Sequence, residues 1–432
     1  MIKKLIEKIS DKKASIGIIG LGYVGLPLAY EFSIAGFRVI GFDKDISKLN
    51  KINKCESYIE RISNSNLKQL KKYDFKTSKN YKDIMKIDII ILCLPTPLNK
   101  NKTPNMKYIN ESLNNIDRYI VKNQIIALES TTYPGTTEEV IGQKLIKKDF
   151  NIGKNIFLIY SPEREDPGNK KYSLKNTPKI VSGYSENCKK LGKVIYSCVS
   201  PRVHLVDNLK IAEMAKIFEN IYRSINISLV NELKIICNKM NIDVFDVIEA
   251  AKTKPFGYTA FYPGPGLGGH CIPIDPFLLT WKAKKYGVKT KFIELSGHIN
   301  SQMPNFIYKK LLNYFKINKI NKKKAKVLLL GASYKKNIKD IRETPFIKIV
   351  EIFLKNNIPF SYNDPLIKNI KINSEVKLKS IKLDYRKLKE FEIIIIVTDH
   401  DSYDYKKILK YSNHILDTRG RFNLKNTNVS RA

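Results

Sequence analysis

Apolar residues fall in short, nearly continuous runs over the first 160 positions: Ala14–Ile19, Phe37–Phe42, Ile87–Leu94, Ile125–Glu129 and Ile156–Tyr160. Runs of that length without polar alternation predict strands buried on both faces, as in a parallel sheet. Leu26–Ala35, between the first two runs, reads as a helix. From Leu209 to Ala251 the period changes to 3.6, and one helix is expected from Leu209 to about Met240. A shorter helix is expected over Asp275–Tyr286, which holds the only tryptophan, Trp281, and a lysine-rich connector covers Asn318–Lys326. The pattern of the first residues then returns. Ala325–Gly331 resembles Ser15–Gly20, Glu343–Lys355 reads as a helix, Ile358–Asn363 as a strand ending at Asp364, and Phe391–Thr398 echoes Ile87–Thr96.

The turn after the first strand is Gly20-Leu21-Gly22-Tyr23-Val24-Gly25. Strand, glycine turn, helix and strand follow one another as a dinucleotide fingerprint requires. Gly20 permits the tight turn, Gly22 lets a pyrophosphate reach the backbone, and Gly25 allows close helix packing. Asp43 closes the second strand, where a carboxylate bonds both ribose hydroxyls and repels a 2′-phosphate, so NAD is expected over NADP. Thr96 and Thr132 follow later strands and fall beside the cofactor; equally, such hydroxyls cap the next helix. Ser161-Pro162-Glu163-Arg164-Glu165-Asp166 gathers three acids and an arginine at another strand end, more like a site than a solvated surface.

The fold class is therefore α/β, with two Rossmann-like parallel-sheet domains joined by a central helical region. The expected domains are an NAD-binding unit at 1–205, a central helical region at 206–305, and a second Rossmann-like unit at 306–432 that binds a nucleotide-type ligand. The second turn, Gly331-Ala332-Ser333-Tyr334-Lys335-Lys336, lacks the later glycines and is expected to hold a different phosphate ligand, with Lys335 as a candidate charge. Arg342, Arg419 and Arg421 fall at strand ends or loops of that unit.

The most unusual stretch lies between the halves, Phe261-Tyr262-Pro263-Gly264-Pro265-Gly266-Leu267-Gly268-Gly269-His270-Cys271-Ile272-Pro273-Ile274-Asp275. Glycine and proline at that density predict a shaped loop. If a helical turn starts at Cys271, Asp275 shares its face, and a thiol beside a carboxylate suggests a covalent nucleophile with a proton partner. The alternative is a structural cysteine in a turn. His270 either lowers the thiol pKa or packs in the loop. Lys216 and Asn220 lie one turn apart on the long helix among apolar neighbours, a pairing able to polarise an alcohol or an oxyanion.

Composition removes several alternatives. The net charge is +36, but the lysines are spread along the whole chain with no arginine-rich arm, so no nucleic-acid partner is expected. The six scattered cysteines contain no CxxC pair, which suits a reducing compartment and gives no zinc spacing. No stretch approaches the roughly 20 apolar residues of a membrane helix, and no signal-peptide core follows the N-terminus, so a cytoplasmic protein without metal or membrane partner is expected.

These pieces together resemble the UDP-glucose/GDP-mannose 6-dehydrogenase family over nearly the whole chain. The resemblance rests on GLGYVG at 20–25, ESTTYPGTT at 129–137, SPER at 161–164, the Lys216/Asn220 helix, GLGGHCIPIDP at 266–276 and YKKNIKDIRET at 334–344. It implies a four-electron oxidation of a sugar C6 alcohol with two NAD, through a thiohemiacetal and thioester on Cys271. Lys216, Asn220 and Asp275 are implied as catalytic helpers, with Glu163 and Thr132 near the attacking water. The implied cofactor set is Gly20, Gly22, Tyr23, Val24, Gly25, Asp43, Thr96, Thr132 and Arg342. The implied substrate set is Glu163, Arg164, Lys216, Asn220, Phe261, Tyr262, Gly268, Lys335 and Arg419. The GGHCIPID loop resembles the branch acting on UDP-2-acetamido sugars, with UDP-N-acetylglucosamine first, UDP-N-acetylgalactosamine close behind, and UDP-N-acetylmannosamine and UDP-glucose as further alternatives. The product would enter a surface polysaccharide. A homodimer or higher homo-oligomer, assembled on the central helix, is implied as well.

Overall fold

The computed structural model describes residues 1–164, 172, 174–269 and 271–432. Glu165, Asp166 and His270 lie outside the described residues. The chain forms two compact units, Met1–Glu219 with Phe277–Val288, and Asn220–Pro276 with Lys289–Ala432.

The first unit is built on eight strands, β1 (Ser15–Ile19), β2 (Arg38–Phe42), β3 (Phe75–Ser78), β4 (Ile89–Leu92), β5 (Ile125–Leu128), β6 (Phe157–Tyr160), β7 (Lys179–Gly183) and β8 (Val203–Leu205). Their order is β3-β2-β1-β4-β5-β6-β7-β8. The first six follow the doubly wound order of dinucleotide-binding sheets. All neighbours run parallel except β6 and β7, which are antiparallel. Every residue of β1, β4, β5 and β6 is buried, which is why these runs lack polar alternation. Phe277–Val288 returns to this unit late in the chain. Trp281 packs on Tyr133 with ring centroids 4.8 Å apart, and Lys282 bonds Glu139.

The second unit holds β9 (Val327–Leu330), β10 (Phe360–Asn363), β11 (Asn369–Lys371), β12 (Lys377–Lys379), β13 (Ile393–Ile396), β14 (Ile415–Asp417) and β15 (Val429–Arg431). Five of them form a parallel sheet in the order β10-β9-β13-β14-β15, and β11 and β12 form a separate antiparallel pair. Alternate residues serve opposite faces: Val327, Leu329, Ile393 and Ile395 join one apolar cluster, Leu328, Leu330, Ile394 and Ile396 another. A strand side chain has period two, so each face gets its own core.

The helix Leu209–Lys239 contributes residues to both units. In the second unit the helix Lys291–Ile317 is pinned to it by polar pairs: Ser224 Oγ to Ser296 Oγ at 3.1 Å, and Asn231 Nδ2 to Asn300 Oδ1 at 2.9 Å. The expected helix Glu343–Lys355 begins instead at Pro345. Glu343 is left-handed at φ 47°, and Thr344 caps the helix by accepting from Phe346 N. No helix among the described residues is long and apolar enough to cross a membrane.

Candidate active site

In the first unit Gly20 and Gly25 have the structural roles expected of them. Gly20 has φ +96°, and a Cβ there would lie 2.4 Å from the Cys93 carbonyl oxygen. At Gly25 it would lie 1.9 Å from the Gly20 oxygen, so only glycine lets this helix start so close to the strand. At Gly22 nothing lies within 4 Å of that position. The fold itself does not require glycine there. Tyr23 and Val24 are half-buried in the same turn. Asp43 is buried and accepts from Leu21 N at 3.0 Å and from Lys48 Nζ at 3.2 Å, which fixes the carboxylate beside the turn. The open position at Gly22 and the anchored Asp43 fit a dinucleotide.

The strand-end loops beside this turn are tied together. Thr96 Oγ1 donates to the Thr131 carbonyl at 2.6 Å, and no helix starts between it and Lys107 for it to cap. Thr132 is buried, and its hydroxyl has no partner among the described residues. Glu213, on the long helix, accepts from Gly135 N (2.5 Å), Thr137 N (2.8 Å) and Thr137 Oγ1 (2.7 Å). Burial pushes its carboxyl up to about 7 despite those bonds.

After β6, Glu163 accepts from Arg164 N at 2.8 Å and from Lys179 Nζ at 3.3 Å. Arg164 donates to the Pro178 carbonyl at 2.7 Å and pairs with Glu219 at 2.5 Å. Lys216 is buried. Asn220, one turn further on, is also buried.

In the second unit Asn220 Nδ2 donates to Asp275 Oδ2 at 2.6 Å. Asp275 N and Ile274 N both donate to the Cys271 carbonyl, at 2.8 and 3.1 Å. This turn leads into the helix Asp275–Lys284. Cys271 is exposed, while Asp275 is buried. All six cysteines are thiols.

The glycine-rich loop leans on its own unit. Gly264 N donates to Asn231 Oδ1 at 2.9 Å, and Gly269 N to the Arg342 carbonyl at 2.9 Å. A Cβ at Gly268 would lie 2.6 Å from Tyr334 Cβ, and one at Gly264 would lie 2.7 Å from Arg419 Nη1. Arg419 Nε donates to the Val397 carbonyl at 2.9 Å, which aims the guanidinium at this loop. Phe261 stacks edge-on against Tyr222 at 5.8 Å, and the Tyr262 hydroxyl donates to Glu249 at 2.5 Å. Arg342 pairs with Asp340 at 2.6 Å. Lys335 is half-buried beside Tyr334.

The second glycine turn is tied to the acid at the end of the next strand, as Leu21 is to Asp43 in the first. Ala332 N and Ser333 N donate to Asp364 Oδ2 at 2.6 and 3.0 Å. Burial would raise Asp364, but the His400 and Ala332 bonds hold it well below the usual carboxylate range.

Sequence reasoning missed Glu213, Asn231 and Lys179. The first two had a signal, since they sit three residues before Lys216 and eleven after Asn220, on helix faces near those residues. Lys179 had none in so lysine-rich a chain.

Three family models match the chain: the NAD binding domain of the UDP-glucose/GDP-mannose dehydrogenase family at residues 14–200, its central domain at 210–302, and its UDP binding domain at 328–424. Protein CapL of Staphylococcus aureus is 32% identical over 424 residues, 96% of this chain and 98% of that protein. UDP-N-acetyl-D-glucosamine 6-dehydrogenase of Pseudomonas aeruginosa is 33% identical over 82% of this chain and 84% of its own length. The structure of UDP-D-ManNAc dehydrogenase from Pyrococcus horikoshii superimposes with a TM-score of 0.88 at 28% identity, covering 96% of this chain and 98% of that one.

Proposed function

The chain belongs to the UDP-glucose/GDP-mannose dehydrogenase family, with NAD as cofactor, and from that premise we propose that it is a UDP-2-acetamido-sugar 6-dehydrogenase with UDP-N-acetyl-D-glucosamine as its substrate. The observation that carries this reading is the Asn220–Asp275–Cys271 constellation, a thiol on a turn whose next residues position a buried carboxylate. NAD, when bound, accepts one hydride from C6 in each of two rounds. Gly20, Gly22, Tyr23, Val24, Gly25, Asp43, Thr96 and Thr132 would hold it.

Asp275 takes the alcohol proton as the first hydride leaves. The Cys271 thiol then adds to the aldehyde carbon, its proton passing to the carbonyl oxygen to give a thiohemiacetal, and loss of the second hydride together with that hydroxyl proton leaves a thioester. Lys216 and Asn220 stabilise the alkoxide and oxyanions at C6. Water held near Glu163 and Thr132 adds to the thioester carbonyl, the carbon–sulfur bond breaks, and the uronic acid leaves with the thiol restored. Arg419, Lys335, Phe261, Tyr262, Gly268 and Arg164 frame the UDP-sugar, and Arg342 holds the loop through its carbonyl.

The loop sequence GGHCIPID and the P. aeruginosa relative support the N-acetylglucosamine substrate; the P. horikoshii structure supports its C2 epimer as a second reading. A homodimer is supported by an exposed apolar stripe on the long helix, Ile211, Met214, Phe218, Tyr222, Leu229 and Ile236, at helical spacing. Six thiols support a reducing, cytoplasmic setting.

The test is NADH released per sugar, with UDP-N-acetylglucosamine, UDP-N-acetylgalactosamine, UDP-N-acetylmannosamine and UDP-glucose offered separately. Two NADH per sugar, abolished in Cys271→Ala, is expected with the first. One NADH, or activity untouched by that substitution, removes the thioester.

A further inference from the structure

We propose that Lys179 is a positioning residue for thioester hydrolysis: from the start of β7 it fixes both the main chain and the carboxylate of Glu163. This rests on the reading of Glu163 as the group that receives the water proton.

A lysine ammonium has three donors, and Lys179 spends all three. They go to Glu129 Oε2 at 2.6 Å, the Pro162 carbonyl at 3.1 Å and Glu163 Oε2 at 3.3 Å. The Pro162 bond holds the backbone immediately before Glu163, and the Glu163 bond holds the side chain. Lys179 is 2% exposed and Glu129 1%, so neither charge is screened by water.

The groups that face the ammonium come from four elements. Glu129 follows β5, Glu163 follows β6, Cys93 follows β4, and the Tyr196 ring on the helix Glu186–Ser197 lies 5.4 Å away. Burial disfavours the ammonium, but the two carboxylates outweigh it and raise the Lys179 pKa. A burial this costly is sustained only where both partners keep their bonds. The Thr132 hydroxyl is buried with no hydrogen-bond partner among the described residues, so polar capacity for a water remains at this end of the sheet.

The step affected is defined. Water oxygen bonds to the thioester carbon, the carbon–sulfur bond breaks, sulfur leaves as thiolate, and the water proton passes to the Glu163 carboxylate. An ammonium at 3.3 Å favours the ionised carboxylate that accepts this proton. It takes no part in either hydride transfer.

The experiment uses the full chain, NAD and the UDP-2-acetamido sugar that the wild type oxidises. Lys179→Met is paired with Glu129→Gln, so that no unpaired carboxylate is left buried, and Lys179→Arg is the conservative variant. The double variant is expected to retain a first-turnover burst of NADH, to lose at least ten-fold in steady-state turnover, and to accumulate an acyl adduct on Cys271 visible by intact mass after acid quench. Its acid limb of kcat is expected at higher pH, and Lys179→Arg restores turnover. Wild-type turnover and pH profile without an adduct would overturn the proposal, as would slow turnover with a lost burst and no adduct, which marks a purely structural role. A wild type that releases one NADH per sugar instead defeats the reading beneath it.

Discussion

Asn220 and Asp275, 55 residues apart in sequence, share a 2.6 Å hydrogen bond with both side chains buried. The bond lets charge and structure be separated. Asp275→Asn keeps an acceptor for the Asn220 amide, so thermal stability should stay near wild type while kcat falls at least 100-fold with the loss of the carboxylate. Asp275→Ala strands the amide and should cost a further ~1–3 kcal/mol. Melting curves alongside steady-state kinetics distinguish the two effects.

Gly22 and Gly25 should respond differently to a single methyl. Gly25→Ala meets the Gly20 carbonyl at 1.9 Å, so a lowered melting temperature and poor soluble yield are expected. Gly22→Ala meets nothing within 4 Å and should leave the melting temperature of the ligand-free protein unchanged. Its apparent affinity for NAD should nevertheless fall by about 1 kcal/mol or more, measured by titration of the purified variant. Equal effects of the two substitutions would remove the cofactor from this turn.

Glu213 gives stability a pH dependence of known sign. Its folded value, about 7, lies above the ordinary 4.5, so the native state binds more protons between the two. The stabilisation is complete below about 4.5 and is lost as pH rises through about 7, by on the order of 3 kcal/mol at most. The melting temperature of Glu213→Gln should therefore change less than wild type between pH 5 and pH 8.

Lys234 acts in the opposite direction. Burial, aided by Arg419, lowers its pKa from 10.5 to about 7, and its one hydrogen bond among the described residues is to the Thr418 carbonyl at 3.5 Å. The unfolded chain binds the extra proton between 7 and 10.5, so this residue favours folding increasingly as pH rises across that window. Lys234→Met should stabilise the chain by about 1–4 kcal/mol at pH 6 and by less at pH 9, as judged by denaturant unfolding.

The parts legible in the sequence are those in which one local pattern decides the outcome. Continuous apolar runs gave β1, β4, β5, β6, β9 and β13, because strands covered on both faces need no polar positions. The fingerprint glycines and the cysteine turn were equally direct, since the backbone there admits few other residues. Short edge strands such as β3 (FKTS) and β8 (VHL) carry too few apolar residues to stand out and depend on their neighbours. The helix Lys291–Ile317 was hidden by Pro304, a residue that argues against a helix interior until flanking packing overrides it. Lys179 was invisible for another reason: nothing local distinguishes a lysine between two buried carboxylates from the many that face solvent.

The late return of Phe277–Val288 to the first unit also governs how the chain reaches its native state. Tyr133 cannot meet Trp281, nor Glu139 meet Lys282, until almost two thirds of the polypeptide has been made. During synthesis the N-terminal sheet must therefore wait, incompletely covered, while the residues between emerge from the ribosome. Contacts this distant in sequence are slow to close, and the exposed interval is where aggregation competes with folding. Truncation before residue 277 should thus yield an N-terminal half that needs chaperone assistance, even though its sheet is entire.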